Sequence, residues 1–390
     1  MTAQSFVPVS GLFSLIVAAL LLWGCVGSGT EINDSSQKSD EWHWDLPPNF
    51  PTPKVPEDNP MSEEKFQLGR YLFYDKRLSG NETFACASCH HQDKAFTDGK
   101  KVSIGSTGDV LTRNAPSVVN SAYHSTYTWV NPDLTTLETQ MATPLFATEI
   151  VEMGVNDENR GTILQRFRDD PEYVERFQAV FAEDAEPIVF DNIIKAIAAF
   201  QRGLLTGNSR FEQYQQGIVS LNAQEERGRI LFNSEKAECF HCHGSFNFND
   251  QVTFLGARLE PNFFHNTGLY NVGNTGDFPA GNQGLFDFTD QESDKGLFRA
   301  QSLWNVAVTA PYMHDGSLDS LEAVLDFYAD GGRNITEGPY AGDGRLNPNK
   351  SDLIVLIDLN DQEKADLIAF LQTLTDESLL TNERFSDPFK

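Results

Sequence analysis

Two C-x-x-C-H units account for four of the five cysteines in this 390-residue chain. Their cysteines and histidines are Cys86, Cys89 and His90 in the first unit, and Cys239, Cys242 and His243 in the second. Two thiols at this spacing can form thioethers with both vinyl groups of one haem, which places the adjacent histidine below the iron. A zinc site would accept two C-x-x-C pairs and a thiol–disulfide motif would accept one, but neither needs a histidine directly after each pair. The motifs therefore predict two covalently attached haem c groups, with His90 and His243 as iron ligands.

A second repeat accompanies the motifs. Residues 69–73 read GRYLF and residues 228–232 read GRILF, and each pentapeptide closes a helix-like segment ahead of a C-x-x-C-H unit. Strand signals are few. The repeat predicts a mainly α fold of two cytochrome c-like haem domains with long irregular loops, an N-terminal domain over 61–215 and a C-terminal one over 216–390.

Local signals place the helices of this scheme. Asn59, followed by Pro60, is a candidate N-cap for the first repeated helix, and Asn222 with Glu225 has the capping-box pattern for the second. Apolar residues at helical spacing predict further helices over 189–204 and 360–374. Between 245 and 297 the chain is rich in Gly, Asn, Asp and Phe without a sustained period, which indicates loops.

The N-terminus has the pattern of an export signal. Residues 1–24 contain an apolar stretch that is short for a membrane span, and the ending L-L-W-G-C resembles a bacterial lipobox with Cys25 as the acylated residue. The alternative is an N-terminal anchor helix with a spare thiol, and the stretch lacks the usual Lys or Arg at its start. Residues 25–60 form a polar, then proline-rich tether that we expect to be extended and unable to join a core. This predicts a periplasmic lipoprotein.

The charge of the chain restricts its partners. There are 29 basic and 56 acidic side chains, which gives a net charge of -27. No basic surface is expected that would attract phosphate, so nucleic acid and anionic membrane surfaces are excluded as partners. A partner bound by electrostatics must present a cationic patch.

The second axial ligand of the C-terminal haem decides what that haem can do. The last methionine in the sequence is Met313, so no later methionine is available. The segment SLEAVLDFYADGG predicts a helix that Asp319 can cap and that ends at Gly331. Tyr328 on this helix carries a phenol oxygen that can reach an iron; the alternative is an aromatic residue packed in the core.

Several ordered blocks resemble the bacterial di-haem cytochrome c peroxidase and MauG superfamily. They are NPMSEEKFQLGRYLFYDKRLS, CASCH, AFTDG, TRNAPS, PLF…VEMG, CFHCHG, FHNTGLYN and SLWNVAVTAPYMHDGSL, and they extend over about residues 46–376. Within that superfamily, the peroxidases carry a removable distal histidine in an S-I-G-H stretch, where this chain has Ser106. The peroxidases also ligate the C-terminal haem with methionine, and the matching residue here is Tyr328, as in MauG. The resemblance implies an N-terminal haem open to peroxide and a C-terminal haem held by His243 and Tyr328. The stretch PLFATEIVEMG is most similar to the MbnH-type di-haem enzymes.

The resemblance also implies roles for residues around the open haem. Trp129 matches a tryptophan between the two haems, where an indole can relay charge. Gln140, Pro144 and Glu152 match the distal pocket, in which a carboxylate can move a proton between the two oxygens of peroxide. Glu149 competes with Glu152 for that role, because a local insertion blurs the match.

A calcium site between the haems is implied as well. It would use Asn114 and the backbone oxygens of Thr309 and Pro311, and hard oxygen ligands suit that ion.

Two positions depart from the family pattern. Ala237 stands where MauG has a surface tryptophan, so the route of charge from haem to substrate must differ. Trp304 replaces an arginine that is usual in the family; it either relays charge toward the surface or only changes the local packing.

The resemblance implies a di-haem c-type enzyme that uses hydrogen peroxide to form a high-valent, bis-Fe(IV)-like state. That state would oxidise a side chain, such as tryptophan, of a co-exported MbnP-like protein at long range. One alternative is a cytochrome c peroxidase that reduces peroxide with electrons from a small cytochrome. The other is a plain electron-transfer cytochrome, which would need both irons six-coordinate.

Overall fold

The computed structural model describes residues 42–390, so the predicted signal peptide, Cys25 and the first part of the tether lie outside the described residues. The helices of this region are Glu63–Tyr74 (α1), Leu137–Phe146 (α2), Arg160–Arg168 (α3), Pro171–Val180 (α4), Phe190–Arg202 (α5), Arg210–Gln215 (α6), Ala223–Phe232 (α7), Phe240–His243 (α8), Phe286–Thr289 (α9), Leu321–Ala329 (α10) and Asp361–Gln372 (α11). Two short strands, Asn334–Ile335 (β1) and Gly342–Asp343 (β2), form an antiparallel pair. The predicted mainly α fold is confirmed, and no helix within 42–390 is long and apolar enough to span a membrane.

The pentapeptide repeat corresponds to a repeated helix crossing. At Gly69 on α1, an added Cβ would lie 1.9 Å from the carbonyl oxygen of Ala196 on α5, and at Gly228 on α7 it would lie 1.9 Å from that of Asp366 on α11. Only a residue without a side chain lets the two backbones approach so closely. The same close pair of helices therefore occurs once in each half of the chain.

Each helix pair belongs to its own hydrophobic core. The first core is built on α1 to α5 and includes Phe66, Phe73 and Phe200, while the second is built around α7, α10 and α11. Each half also contributes a buried residue to the core of the other half. Phe385 from the C-terminal end packs in the first core, and Tyr123 from the first half packs in the second.

The helix starts differ in part from the sequence prediction. The capping box of Asn222 and Glu225 is confirmed at α7. The prediction that Asn59 caps α1 is wrong: Ser62 accepts the bond from the Lys65 amide, and the fully buried Asn59 instead accepts a hydrogen bond from the Lys65 ammonium group at 2.9 Å. Ser320, not Asp319, caps α10, because a hydroxyl directly before the helix reaches its first free amides.

The proline-rich segment is not wholly excluded from the cores. From residue 42 onward it has no helix or strand up to α1, as expected for an extended segment. However, Phe50 is buried in the second core and Trp42 packs against the first, and the Tyr123 hydroxyl donates to the Pro51 carbonyl at 2.8 Å. The expectation that this segment cannot join a core is therefore wrong for its last part, because that part carries large apolar side chains.

Gly228→Ala should lower the free energy of unfolding by about 1–3 kcal/mol, because the added methyl group must push α7 and α11 apart. Guanidinium denaturation followed by circular dichroism measures this. Gly161→Ala is the matched control, since Gly161 lies in α3 with open space where the methyl group would be added and alanine favours a helix by up to about 1 kcal/mol. Equal stability of the two variants would contradict the close helix crossing.

Candidate haem sites

Each C-x-x-C-H unit lines a separate cavity. The first cavity has a volume of about 610 Å³ and contains Cys86, Cys89 and His90 in its wall. The second has a volume of about 260 Å³ and contains Cys239, Cys242 and His243. The structure thus places both thioether-forming cysteines and the predicted iron ligand of each motif at one cavity.

The two histidines are oriented in the same way. The Nδ1 atom of His90 lies 2.8 Å from the carbonyl oxygen of Phe96, and that of His243 lies 2.8 Å from the carbonyl oxygen of Phe248. Because a carbonyl only accepts, Nδ1 carries the proton and Nε2 is left as the metal-binding atom. Burial lowers the pKa of both histidines, which favours the neutral, ligating form.

Part of the wall of the first cavity comes from α2 and the loop that follows. Gln140 and Pro144, one helical turn apart on α2, both line it, as do Glu149 and Glu152. Glu149 is exposed, whereas Glu152 is half-buried, and burial raises the pKa of Glu152 to about 7. Of the two candidate carboxylates, Glu152 therefore has the environment of a group that exchanges a proton near neutral pH.

Four residues that can bind a metal line the second cavity together with His243: His265, Met313, His314 and Tyr328. Tyr328 lies on α10 and Met313 lies in the preceding loop with a φ of 70°. Burial raises the pKa of Tyr328, so its phenol loses the proton only when a cation lies close to the oxygen. An iron ion at this place would supply that charge.

Trp129 is shared by the two cavities. Trp129 lines both, and its indole N–H donates to the Asn114 carbonyl at 2.8 Å. Asn114, Thr309 and Pro311, the predicted calcium ligands, all line the second cavity. The Asn114 amide group donates to the Lys100 carbonyl at 2.7 Å, which leaves its side-chain oxygen free to bind a cation. Calcium stays a prediction.

Arg299 is a candidate site residue that the sequence alone did not reveal. It is 4% exposed and lines both cavities. Its guanidinium donates to the Thr128 carbonyl and to the Gln301 side chain, both at 2.8 Å. Its third nitrogen, Nη1, has no hydrogen-bond partner among the described residues. No carboxylate in this part of the chain forms an ion pair with Arg299. Burial lowers the pKa of Arg299 to about 10, so the side chain remains charged at neutral pH.

A buried, unpaired cation requires an anion. Other buried polar atoms in the cavity walls also lack partners within 42–390, namely Ser121 Oγ and His124 Nε2 in the first cavity and Gln301 Nε2 and His314 Nε2 in the second. Haem carries two propionates that can accept such bonds. The paired cysteines, the oriented histidines and the unpaired donors all fit one haem c in each cavity. The block RAQSLWN contains Arg299, but only the fold shows that it is buried between the cavities.

The remaining sequence candidates lie away from the surface. Trp304 is 3% exposed and donates its indole N–H to the Phe246 carbonyl at 3.1 Å, so it belongs to the second core as well as to the wall of the second cavity. Ala237 is buried in the same core. Neither residue is exposed to solvent, so neither can pass an electron directly between a haem and a partner protein at the surface.

Comparisons with known proteins agree with this arrangement. The family model described as di-haem cytochrome c peroxidase matches residues 63–220. Cytochrome-c peroxidase IdrP1 of Denitromonas iodatirespirans is 35% identical over 85% of this chain and 87% of its own. Methylamine utilization protein MauG of Methylorubrum extorquens is 30% identical over 95% of this chain and 96% of its own. A solved MauG-like protein, described as associated with microbial copper homeostasis, is 57% identical with a TM-score of 0.88, over 90% of this chain and 100% of its own.

Replacing both Cys239 and Cys242 with serine should remove the covalent haem from the second cavity and halve the haem content per chain. Pyridine haemochrome absorbance relative to protein concentration measures this. The corresponding double serine variant of Cys86 and Cys89 is the control and should lose the other half. An unchanged haem content in either variant would contradict the assignment of one haem to each motif.

Proposed function

This chain belongs to the di-haem cytochrome c peroxidase and MauG family, and we propose that it uses hydrogen peroxide to oxidise a side chain of a partner protein at long range. The partner would be a co-exported, MbnP-like protein, and the modified residue a tryptophan. We propose further that the enzyme acts in the periplasm, held to a membrane through acylated Cys25. The observation that supports the long-range reaction most directly is that Trp129 lies in the walls of both cavities.

The haem groups, when bound, supply the redox chemistry by accepting the two oxidising equivalents of peroxide. The protein supplies proton transfer in the first cavity. The Glu152 carboxylate would take a proton from incoming hydrogen peroxide and return it to the oxygen that leaves as water. Gln140 and Pro144 confine that space from α2, so that peroxide meets Glu152 rather than bulk solvent.

The second cavity is suited to storage rather than to peroxide binding. It is smaller than the first, and Tyr328 would hold the iron there together with His243. An anionic oxygen ligand stabilises an iron in a high oxidation state better than a neutral thioether does. Trp129 would exchange electrons between the two sites, because its indole is the oxidisable group that both walls share.

A peroxide-reducing peroxidase is the second candidate. Relatives with 35% identity carry the name cytochrome-c peroxidase, and Met313 lines the second cavity beside Tyr328. If Met313 rather than Tyr328 bound the iron, the second haem would suit electron uptake from a small cytochrome. The identity of this ligand therefore separates the two functions.

Tyr328→Phe tests the ligand and the function together. The ring still fills its place, so haem content should stay unchanged, but the low-spin haem spectrum should change and peroxide-dependent modification of the purified co-exported partner should be lost. Mass spectrometry of that partner measures the added oxygen. Met313→Leu is the matched control and should retain both properties. An unmodified partner with the wild-type enzyme, together with rapid oxidation of a reduced cytochrome, would support the peroxidase instead.

Glu152→Gln should slow the reaction with peroxide by about 10²-fold, because the amide cannot accept the proton. In the wild type only the ionised carboxylate accepts it. The rate should therefore rise as pH increases through about 7, the raised pKa of Glu152, and the variant should lose this dependence. Stopped-flow haem absorbance measures both effects. Glu149→Gln, on the same cavity but exposed, is the control, and equal effects of the two substitutions would contradict the proton-transfer role.

A further inference from the structure

A row of aromatic rings leads from the wall shared by the cavities to the protein surface. Ring centroids lie 6.4 Å apart for Trp129 and His314, and 6.1 Å apart for His314 and Phe278. The row continues over 5.6 Å from Phe278 to Tyr270 and over 5.9 Å from Tyr270 to Tyr340. Each step lies within the range of direct aromatic contact. Three of the five rings, the indole and the two phenols, can be oxidised by one electron.

Tyr270 has a built-in acceptor for its proton. Its hydroxyl donates to Asp315 Oδ2 at 2.6 Å. Asp315 Oδ1 accepts a further hydrogen bond from the Ser317 backbone amide at 3.0 Å, which holds the carboxylate in place. Arg333 lies 4.4 Å from the Tyr270 ring, and this cation disfavours a positive charge on the ring. Oxidation of Tyr270 therefore requires that the proton leave with the electron, and Asp315 is placed to take it.

Tyr340 is the exposed end of the row. It lies in the connection between β1 and β2, whose residues pair as Asn334 with Asp343, and it is 45% exposed. The neighbouring residues 336–339 are exposed as well. A protein partner can therefore touch this ring directly, whereas Tyr270 is buried and Trp129 is half-buried.

We infer that Tyr270 and Tyr340 form the exit through which oxidising equivalents pass from Trp129 to a docked protein, with Tyr340 as the contact residue. This inference rests on the proposed function and supplies the route that Ala237 cannot provide. Phe278 and His314 carry neither an indole nor a phenol, so they form the packed medium between Trp129 and Tyr270.

Each transfer balances in electrons and protons. Hydrogen peroxide is the oxidant. It accepts two electrons in total, so two successive one-electron transfers along this route are needed for each molecule of peroxide. Oxidised Trp129 takes one electron from Tyr270, whose hydroxyl proton moves to Asp315. The Tyr270 radical then takes one electron from Tyr340 and regains the proton from Asp315, while the Tyr340 proton passes to solvent. The Tyr340 radical finally removes an electron and a proton from the partner side chain.

A second tyrosine pair provides a matched comparison. Tyr173 donates to Asp75 at 2.8 Å, and its ring lies 6.5 Å from that of half-buried Tyr71. The pair thus has the same chemistry as Tyr270 and Tyr340. Its further ring contacts, with Phe167, Phe177 and Phe389, lead to no residue of either cavity wall. Connection to Trp129 is the feature that distinguishes the two pairs.

The experiment treats the holoenzyme with hydrogen peroxide in the presence of the nitrone spin trap DMPO, without any partner, and maps adducts by peptide mass spectrometry. Adducts should form at Tyr340 and not at Tyr71. Tyr270→Phe and Asp315→Asn should each reduce labelling of Tyr340 by about tenfold or more, whereas Tyr71→Phe should not change it. Haem content and absorption spectrum, equal to those of the wild type, verify that the variants are folded. Tyr340 labelling that survives Tyr270→Phe, or equal labelling of Tyr71, would overturn the inference.

Partner oxidation separates this inference from the proposed function. If Tyr340→Phe lowers modification of the partner by about tenfold or more, the exit is supported. If the wild type modifies the partner and Tyr340→Phe does so at the same rate, the exit is wrong while the proposed function stands. If labelling of Tyr340 depends on Tyr270 but no partner is modified, the exit stands and the proposed function fails.

Discussion

The hydrogen bond from each proximal histidine to a phenylalanine carbonyl is the constraint on which both halves of the molecule depend. To present these carbonyls, Phe96 and Phe248 adopt φ values of 61° and 50°, in a region that costs of order 1–3 kcal/mol for a residue with a side chain. Ring packing offsets this cost. Phe96 lies 6.0 Å from Phe73, and Phe248 lies 5.8 Å from Phe232. Phe73 and Phe232 are the last residues of the two repeated pentapeptides, so the repeat is connected directly to the orientation of the iron ligand.

The glycines that begin the pentapeptides complete this connection. They let each helix approach its partner until Phe73 lies 5.1 Å from Phe200, and Phe232 lies 5.2 Å from Phe370. Each half of the chain thus contains one structural unit: a close helix crossing, an aromatic cluster, and a phenylalanine with a positive φ whose carbonyl binds the histidine. The covalent motif attaches a haem, but this unit decides where its histidine points.

The sequence could predict what depends on local chemistry and could not predict what depends on distant segments. The C-x-x-C-H spacing, the capping box of Asn222 and the helix around Tyr328 follow from neighbours in the chain. Arg299 has no such signal, because its unpaired guanidinium becomes meaningful only when two distant cavities enclose it. The bond between Tyr270 and Asp315 joins residues 45 positions apart. Similarly, Asn59 looks like a helix cap in the sequence, but tertiary packing buries it and leaves capping to Ser62.

The two halves share this unit but differ in what faces each histidine. In the first, a larger cavity holds a half-buried carboxylate with a pKa raised to about 7, which suits a small reactant that exchanges protons. In the second, a smaller cavity holds a phenol whose pKa burial raises, which suits a fixed ligand. Trp129 and Arg299 belong to both walls, so charge placed in one cavity acts on the other through a low-dielectric interior. The duplicated unit orients the two histidines in the same way, and the residues that differ between the halves give each cavity its own chemistry.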